Sequence, residues 1–179
     1  MLVPLKALGR AKSRLAGTLS ADERAELMRS LLERVVAVVR EAGVERITVV
    51  TAESMGGYDV WPDRGLAWND ALATAAAEVV TSALVAVISA DLPLVQPDEV
   101  EELLEATPAR GIAIARALDG GTNAVSMRPP GLVRTHFGEP GSAAVHAELG
   151  VEHVVLDLPG LAFDVDTPED LARMQAVCL

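Results

Sequence analysis

The sequence predicts an α/β fold, a three-layer sandwich in which a mostly parallel sheet lies between two layers of helices. Three observations predict it. Short apolar, partly β-branched runs recur at residues 47–51, 84–89 and 112–115. Runs that are apolar throughout, rather than alternating, belong to strands covered on both faces. Segments of helical period stand between them, the first carrying Leu27, Leu31, Val35, Val38 and Val39. A strand, a long helix and a strand in succession imply a right-handed crossover between parallel neighbours.

The composition bounds the rest. At 179 residues one domain, 1–179, with a sizeable core is expected. Half the residues are hydrophobic but only 3% are aromatic, so Ala, Val and Leu must build that core. No apolar run reaches the length of a membrane span, no signal peptide precedes the first basic residues, and the single Cys178 has no internal partner. A cytoplasmic protein is expected, with no membrane or nucleic-acid partner, since a net charge of −11 lacks the basic footprint of a nucleic-acid surface. The same charge repels an anionic substrate unless cations gather locally.

They do so at the N-terminus. A short apolar strand leads into a loop with Lys6, Gly9, Arg10, Lys12 and Arg14, and no lysine occurs elsewhere in the chain. Such a loop is either a solvated basic tail or a cradle holding a polyphosphate with N–H groups and cationic side chains. The Gly-Lys-Ser/Thr ending of a P-loop is absent.

Ser20-Ala21-Asp22-Glu23 is a capping box that opens the first helix, and Gly43 stops it. Residues 47–51 form the second strand. A loop over 53–65 holds Gly56-Gly57 and a short strand near 58–61. An Ala-rich helix is expected from 71 to about 80. Asn69 or Asp70 either caps it or, with Trp68, stands beside a nucleotide base or ribose. Trp61 and Trp68 otherwise read as packing residues.

The central strand runs over 84–89 and ends at Asp91, followed by Pro93. Ligands on such sheets sit beyond the carboxyl ends of the strands. A carboxylate there suits Mg²⁺, which takes oxygen ligands and shares them with phosphates; alternatively it opens a turn. Pro97-Asp98-Glu99 starts the next helix, with acids against its dipole.

After a strand at 112–115, Asp119-Gly120-Gly121-Thr122-Asn123 reads as a tight turn feeding another strand, or as a holder of phosphate or carboxylate. Gly141-Ser142 then opens a helix over 143–149, either as an anion site or as a cap. Near the end a strand is expected through Phe163-Asp164-Val165-Asp166, which projects both Asp side chains to one face. Facing Asp91, they would complete a metal site. Glu169 and Asp170 begin the last helix and serve its dipole. His136, His146 and His153 show no ligand spacing and read as surface or helix residues.

Together these pieces resemble the single-sheet, sugar-nucleotide-transferase type of nucleotidyltransferase, a Rossmann-like fold. Within it, Val3-Pro4-Leu5-Lys6, Ala11-Lys12-Ser13-Arg14-Leu15, Ala90-Asp91-Leu92-Pro93-Leu94, Gly121-Thr122-Asn123-Ala124, Arg128-Pro129-Pro130, Phe137-Gly138, Gly141-Ser142 and Asp164-Val165-Asp166-Thr167-Pro168-Glu169-Asp170-Leu171 resemble the CofC/FbiD family. The resemblance covers nearly the whole chain in order. It implies a guanylyltransferase of coenzyme F420 biosynthesis, in which GTP and phosphoenolpyruvate (or 2-phospho-L-lactate in archaeal members) give a GMP-linked product and pyrophosphate. It implies Mg²⁺ held by Asp91, Asp164 and Asp166, and GTP phosphates held by Lys6, Lys12 and Arg14. Asp91, Lys12 and Arg14 are then the catalytic candidates, with Lys6, Gly9 and Asn69 on the nucleotide. Thr122, Gly138 and Ser142 would hold the acceptor's phosphate and carboxylate.

The match departs at three points. Only about three residues remain for the first strand, where five or six are usual, so either the start is assigned late or this copy has reduced activity. Ala67-Trp68-Asn69 replaces a usual Gly-Leu-Asn, which touches base selection, and Glu139-Pro140 lengthens a turn near the acceptor. Two other readings stand beside this one. A molybdenum-cofactor-type nucleotidyltransferase would carry a glycine-richer first loop, and a non-catalytic nucleotide-binding protein would have little use for metal ligands. The sequence leaves the oligomeric state open, with room for a homodimer.

Overall fold

The computed structural model describes residues 1–79 and 83–177. Cys178, the expected helix end at Val80 and the Arg10 side chain lie outside them. In chain order the elements are β1 (Leu2–Pro4), α1 (Ala21–Glu41), β2 (Thr48–Thr51), β3 (Asp59–Pro62), α2 (Trp68–Val79), β4 (Val85–Ile88), α3 (Pro97–Glu105), β5 (Gly111–Arg116), β6 (Thr122–Arg128), α4 (Ser142–Ala147), β7 (Glu152–Leu156), α5 (Pro159–Ala162) and α6 (Pro168–Val177). Single 3₁₀ turns lie between β1 and α1, at Leu8–Arg10 and Ser13–Leu15.

The strands form one sheet in the order β3-β2-β1-β4-β6-β5-β7. All neighbours are parallel except β6, which runs against both β4 and β5. The cause is local: a tight turn over 117–121 joins β5 to β6, and so short a connection can only reverse the chain. The three-residue β1 lies inside the sheet, paired on both sides, and all its residues are buried. Two cores face away from the sheet. One packs Leu31, Leu32, Val35 and Val39 of α1 with Leu103 of α3, Leu161 of α5 and Leu171 of α6. The other packs Ala71, Leu72 and Ala75 of α2 with Ala143 of α4 against Leu2, Val87 and Val125. The small Ala stripe lets α2 lie close to the sheet. The β-branched residues of α1 oppose helix formation locally, and burial of their face outweighs that preference.

The structure corrects several expectations. α2 begins at Trp68, so Asn69 and Asp70 lie in its first turn. β7 has no counterpart in the sequence pattern: it is an edge strand whose residues are mostly exposed, so it carries no buried apolar run. The strand expected through Asp164 is absent. Pro159 starts the short helix α5 at that point, and residues 163–166 run on without a ladder. The Val165 N–H still donates to the Asp91 carbonyl (3.3 Å), and Val165 is buried. The alternation therefore survives without the strand, and both carboxylates line the cleft.

Glu99 does more than face a helix dipole. One carboxylate oxygen accepts from the Gln96 N–H (3.0 Å), closing a capping box, and the other accepts from the Gly160 N–H (2.6 Å). Together these bonds clamp α5 onto the start of α3. A Cβ at position 160 would stand 2.2 Å from Glu99 Oε2 and 2.4 Å from the Leu94 carbonyl oxygen. Gly160→Ala is expected to lose about 2–3 kcal/mol of stability, read by urea denaturation. A variant as stable as wild type would show that the clamp is not closed.

Candidate active site

A cleft of about 490 Å³ opens beyond the carboxyl ends of β1 and β4. Three carboxylates meet at its floor. Asp91 follows β4, and Asp164 and Asp166 arrive on the ladderless segment before α6. Each offers an oxygen within 4.8 Å of the other two. Their placement is built from the main chain. The Ser89 N–H donates to the Asn123 carbonyl (2.8 Å), carrying the β4–β6 contact toward Asp91. Asn123 Nδ2 donates to Asp164 Oδ1 (3.2 Å). Asp170 Oδ2 accepts from the N–H groups of Asp166 (3.2 Å) and Thr167 (2.8 Å) and from the Thr167 hydroxyl (2.8 Å). Burial works against the charged form of Asp170, but these hydrogen bonds bring its carboxyl net below the ordinary value. Asp170 is thus both a helix cap and the fixing point for Asp166.

So close a set of acids attracts positive charge. Burial, then the neighbouring charge of Asp91, pushes the Asp164 carboxyl up to about 6. The Lys12 ammonium, nearly enclosed, bonds to Asp91 Oδ2 and to Asp166 Oδ1 (2.8 Å). Burial alone would lower the Lys12 pKa, yet the two carboxylates more than reverse this and hold it above its ordinary value. Lys12 itself sits at φ 52°, a left-handed conformation that turns its side chain inward between the two 3₁₀ turns. Arg14, largely exposed, reaches Asp166 Oδ2 (3.2 Å). Three carboxylates supply the all-oxygen donor set that a hard divalent cation prefers, and the residues fit such an ion.

The opposite wall of the cleft is made of hydroxyls. Thr122 opens β6 and Ser142 opens α4; both are buried and both line the cleft. Ser142 Oγ–H donates to Thr122 Oγ1 (3.1 Å). The N-terminus of α4 is not a free anion site, because the N–H groups of Ser142 and Ala143 donate to the carbonyls of Glu139 and Gly120. The anion-binding capacity expected of Gly141-Ser142 therefore rests on side chains. Gly138 lines the cleft at φ 77°, a conformation that costs glycine nothing and other residues strain.

The structure brings together Lys6, Lys12, Arg14, Asp91, Thr122, Gly138, Ser142, Asp164 and Asp166 on one cleft. Two expected site residues stand apart from it. Gly9 lies exposed in the Leu8–Arg10 turn, and the neighbouring Leu8 N–H donates to Glu53 Oε1 (3.1 Å) rather than to any ligand. Asn69, expected on the nucleotide, is buried instead, and its amide is engaged internally. Its Oδ1 accepts from the Phe137 N–H (2.9 Å) and the Thr135 hydroxyl (3.0 Å), and its Nδ2 donates to the Phe137 carbonyl (3.2 Å). It tethers the segment before Gly138 to α2. Trp68 lines the cleft, with the Lys6 ammonium 5.7 Å from its ring centre, rather than serving only as packing. Trp61 is buried and donates to Glu78.

Sequence reasoning misses Asn123, Asp170 and His146. His146, expected as a surface or helix residue, lies on α4 but has no exposed area and stands behind the hydroxyl wall. One signal could have found it: it lies four residues after Ser142 on the same helix face.

Comparisons with known proteins show the family and the fold. The family described as "Guanylyl transferase CofC like" matches residues 1–176. A phosphoenolpyruvate guanylyltransferase of Rubrobacter xylanophilus is 40% identical, covering 98% of this chain and 92% of the relative. A 2-phospho-L-lactate guanylyltransferase of Haloarcula marismortui is 36% identical, covering 91% of this chain and 79% of the relative. Among solved structures, a 2-C-methyl-D-erythritol 4-phosphate cytidylyltransferase of Thermus thermophilus shares the fold. It aligns with TM-score 0.66 at 19% identity, covering 99% of this chain and 98% of the other.

Proposed function

Because the chain belongs to the CofC-like guanylyl transferases, we infer that it is an enzyme transferring GMP from GTP to phosphoenolpyruvate or 2-phospho-L-lactate, with release of pyrophosphate. One observation carries the reading. A single cleft joins a carboxylate cluster and cationic side chains on one wall to paired hydroxyls on the other. That arrangement suits two polyanions that must approach each other.

In this reading Asp91, Asp164 and Asp166 hold Mg²⁺. When bound, the ion supplies charge neutralisation at the phosphates and alignment of the reacting oxygens. Lys6, Lys12 and Arg14 receive the triphosphate. Thr122 and Ser142, with the backbone at Gly138, orient the acceptor. An acceptor phosphate oxygen attacks the α-phosphorus, the bond to the β-phosphate breaks, and pyrophosphate leaves. The nucleophile is already anionic near neutral pH, so no general base is needed, and catalysis consists of positioning and electrostatic relief. Trp68 stands where a base can stack. In this reading residues 1–179 form one nucleotidyltransferase domain that works in the cytoplasm, in coenzyme F420 biosynthesis. Among the described residues no helix is long and apolar enough to cross a membrane.

Nucleotide choice tests this. With Mg²⁺ and both acids supplied, pyrophosphate is expected from GTP at least about ten-fold faster than from ATP, CTP or UTP. Equal rates would contradict guanine selection.

A pH dependence follows from Asp164. Its carboxyl titrates at about 6, so lowering the pH through that value protonates a metal ligand, and the proton competes with the cation. Calorimetric Mn²⁺ affinity is expected to weaken between about pH 7.5 and about pH 5.5. Asp164→Asn should bind more weakly at all pH values with a flatter profile. A wild-type affinity constant across that range would take Asp164 out of the metal site.

A further inference from the structure

Behind the hydroxyl wall, both ring nitrogens of His146 are engaged. The backbone N of His136 lies 3.0 Å from Nε2, and Thr122 Oγ1 lies 3.0 Å from Nδ1. A backbone N–H can only donate, so Nε2 must present its lone pair, and the proton of the neutral ring sits on Nδ1. The ring is neutral because burial, then the nearby His136, lowers its pKa to about 4. Thr122 Oγ1 therefore stands within hydrogen-bond reach of that Nδ1–H, and the Ser142 backbone also bonds to the ring.

Thr122 Oγ1 also accepts from Ser142 Oγ–H (3.1 Å). A hydroxyl oxygen has two lone pairs, and two donors occupy them. What remains is its own proton, on a side chain that lines the cleft. An anion needs a donor at that point, and a lone pair there would repel it. The same His146 contact ties α4 to His136, next to the Phe137–Gly138 segment that Asn69 holds.

We propose that His146 is a positioning residue for the acceptor acid: its Nδ1–H orients the Thr122 hydroxyl so that Thr122 donates its proton to the acid's phosphate or carboxylate. This rests on the acceptor reading given above. The relay passes from the His136 backbone through the ring to Thr122, and each bond polarises the next. His146 touches no substrate itself and acts through Thr122.

Two amide side chains separate this role from simple packing. His146→Gln places an acceptor near the Nε2 position and removes the donor to Thr122. His146→Asn keeps an N–H near the Nδ1 position and removes the acceptor for His136. Both lose the ring. His146→Gln is expected to raise the acceptor KM about ten-fold, with the KM for GTP changed less than about two-fold. His146→Asn is expected to recover most of that loss. Thr122→Val should raise the acceptor KM similarly, and His146→Gln added to it should have little further effect, since coupled residues are non-additive. Equal behaviour of the Gln and Asn variants, in KM or in failure to fold, would overturn the relay, as would full additivity with Thr122→Val. A wild-type enzyme whose turnover ignores both acids would instead overturn the acceptor reading, and this inference with it.

Discussion

Asp91→Asn is expected to lower turnover by about a thousand-fold with the fold intact. The substitution keeps the shape of the side chain and removes one charge. It leaves the main-chain bond from Val165 N–H to the Asp91 carbonyl in place, and with it the path of the segment carrying Asp164 and Asp166. What is lost is one of the three clustered carboxylates and one of the two anionic partners of Lys12. Pyrophosphate release under saturating GTP and Mg²⁺ reads the loss, and a thermal melt reads the fold. Turnover within a few-fold of wild type from a folded variant would remove Asp91 from the mechanism.

Lys12→Met is the second large effect, and it has two parts. In the protein without metal, Lys12 is the buried counter-charge of Asp91 and Asp166. Removing it leaves three acids facing one another, at a cost of about 3 kcal/mol in stability. A divalent cation that binds the same oxygens should restore much of this, so the melting temperature of the variant should rise more with Mg²⁺ than that of wild type. Turnover should still fall by about a hundred-fold or more, because in the proposed reading the ammonium also receives the triphosphate. A variant that melts like wild type without metal, or that turns over normally, would contradict this double role.

Much of this is legible in the residues, for physical reasons. The apolar runs at β2, β4 and β5 and the capping box at Ser20 announce themselves because burial and capping are local chemistry. Asp91 is legible because a carboxylate ending a buried strand has few other uses. Asp164 and Asp166 are found by alternation although the strand expected for them does not exist; an extended backbone is enough to put both on one side. β7 is not legible because its apolar run, Val154-Val155-Leu156, is only three residues long and lies mostly exposed at the sheet edge. Asn69 misleads because an amide beside a helix start looks the same whether it faces a ligand or grips the chain at Phe137. His146 is missed because a buried histidine is recognised by its partners, and Thr122 and His136 meet it only through the fold. The three-residue β1 keeps its place between β2 and β4.

The most direct test of the central claim is pyrophosphate release from GTP and Mg²⁺ with phosphoenolpyruvate and 2-phospho-L-lactate offered separately. Under the proposed coenzyme F420 reading, a deazaflavin acceptor and its transferase are included to trap an unstable product. Release that requires GTP and one of the two acids is the expected result, and it names the acceptor. Silence with both acids, from a folded protein that still binds GTP, would contradict the account.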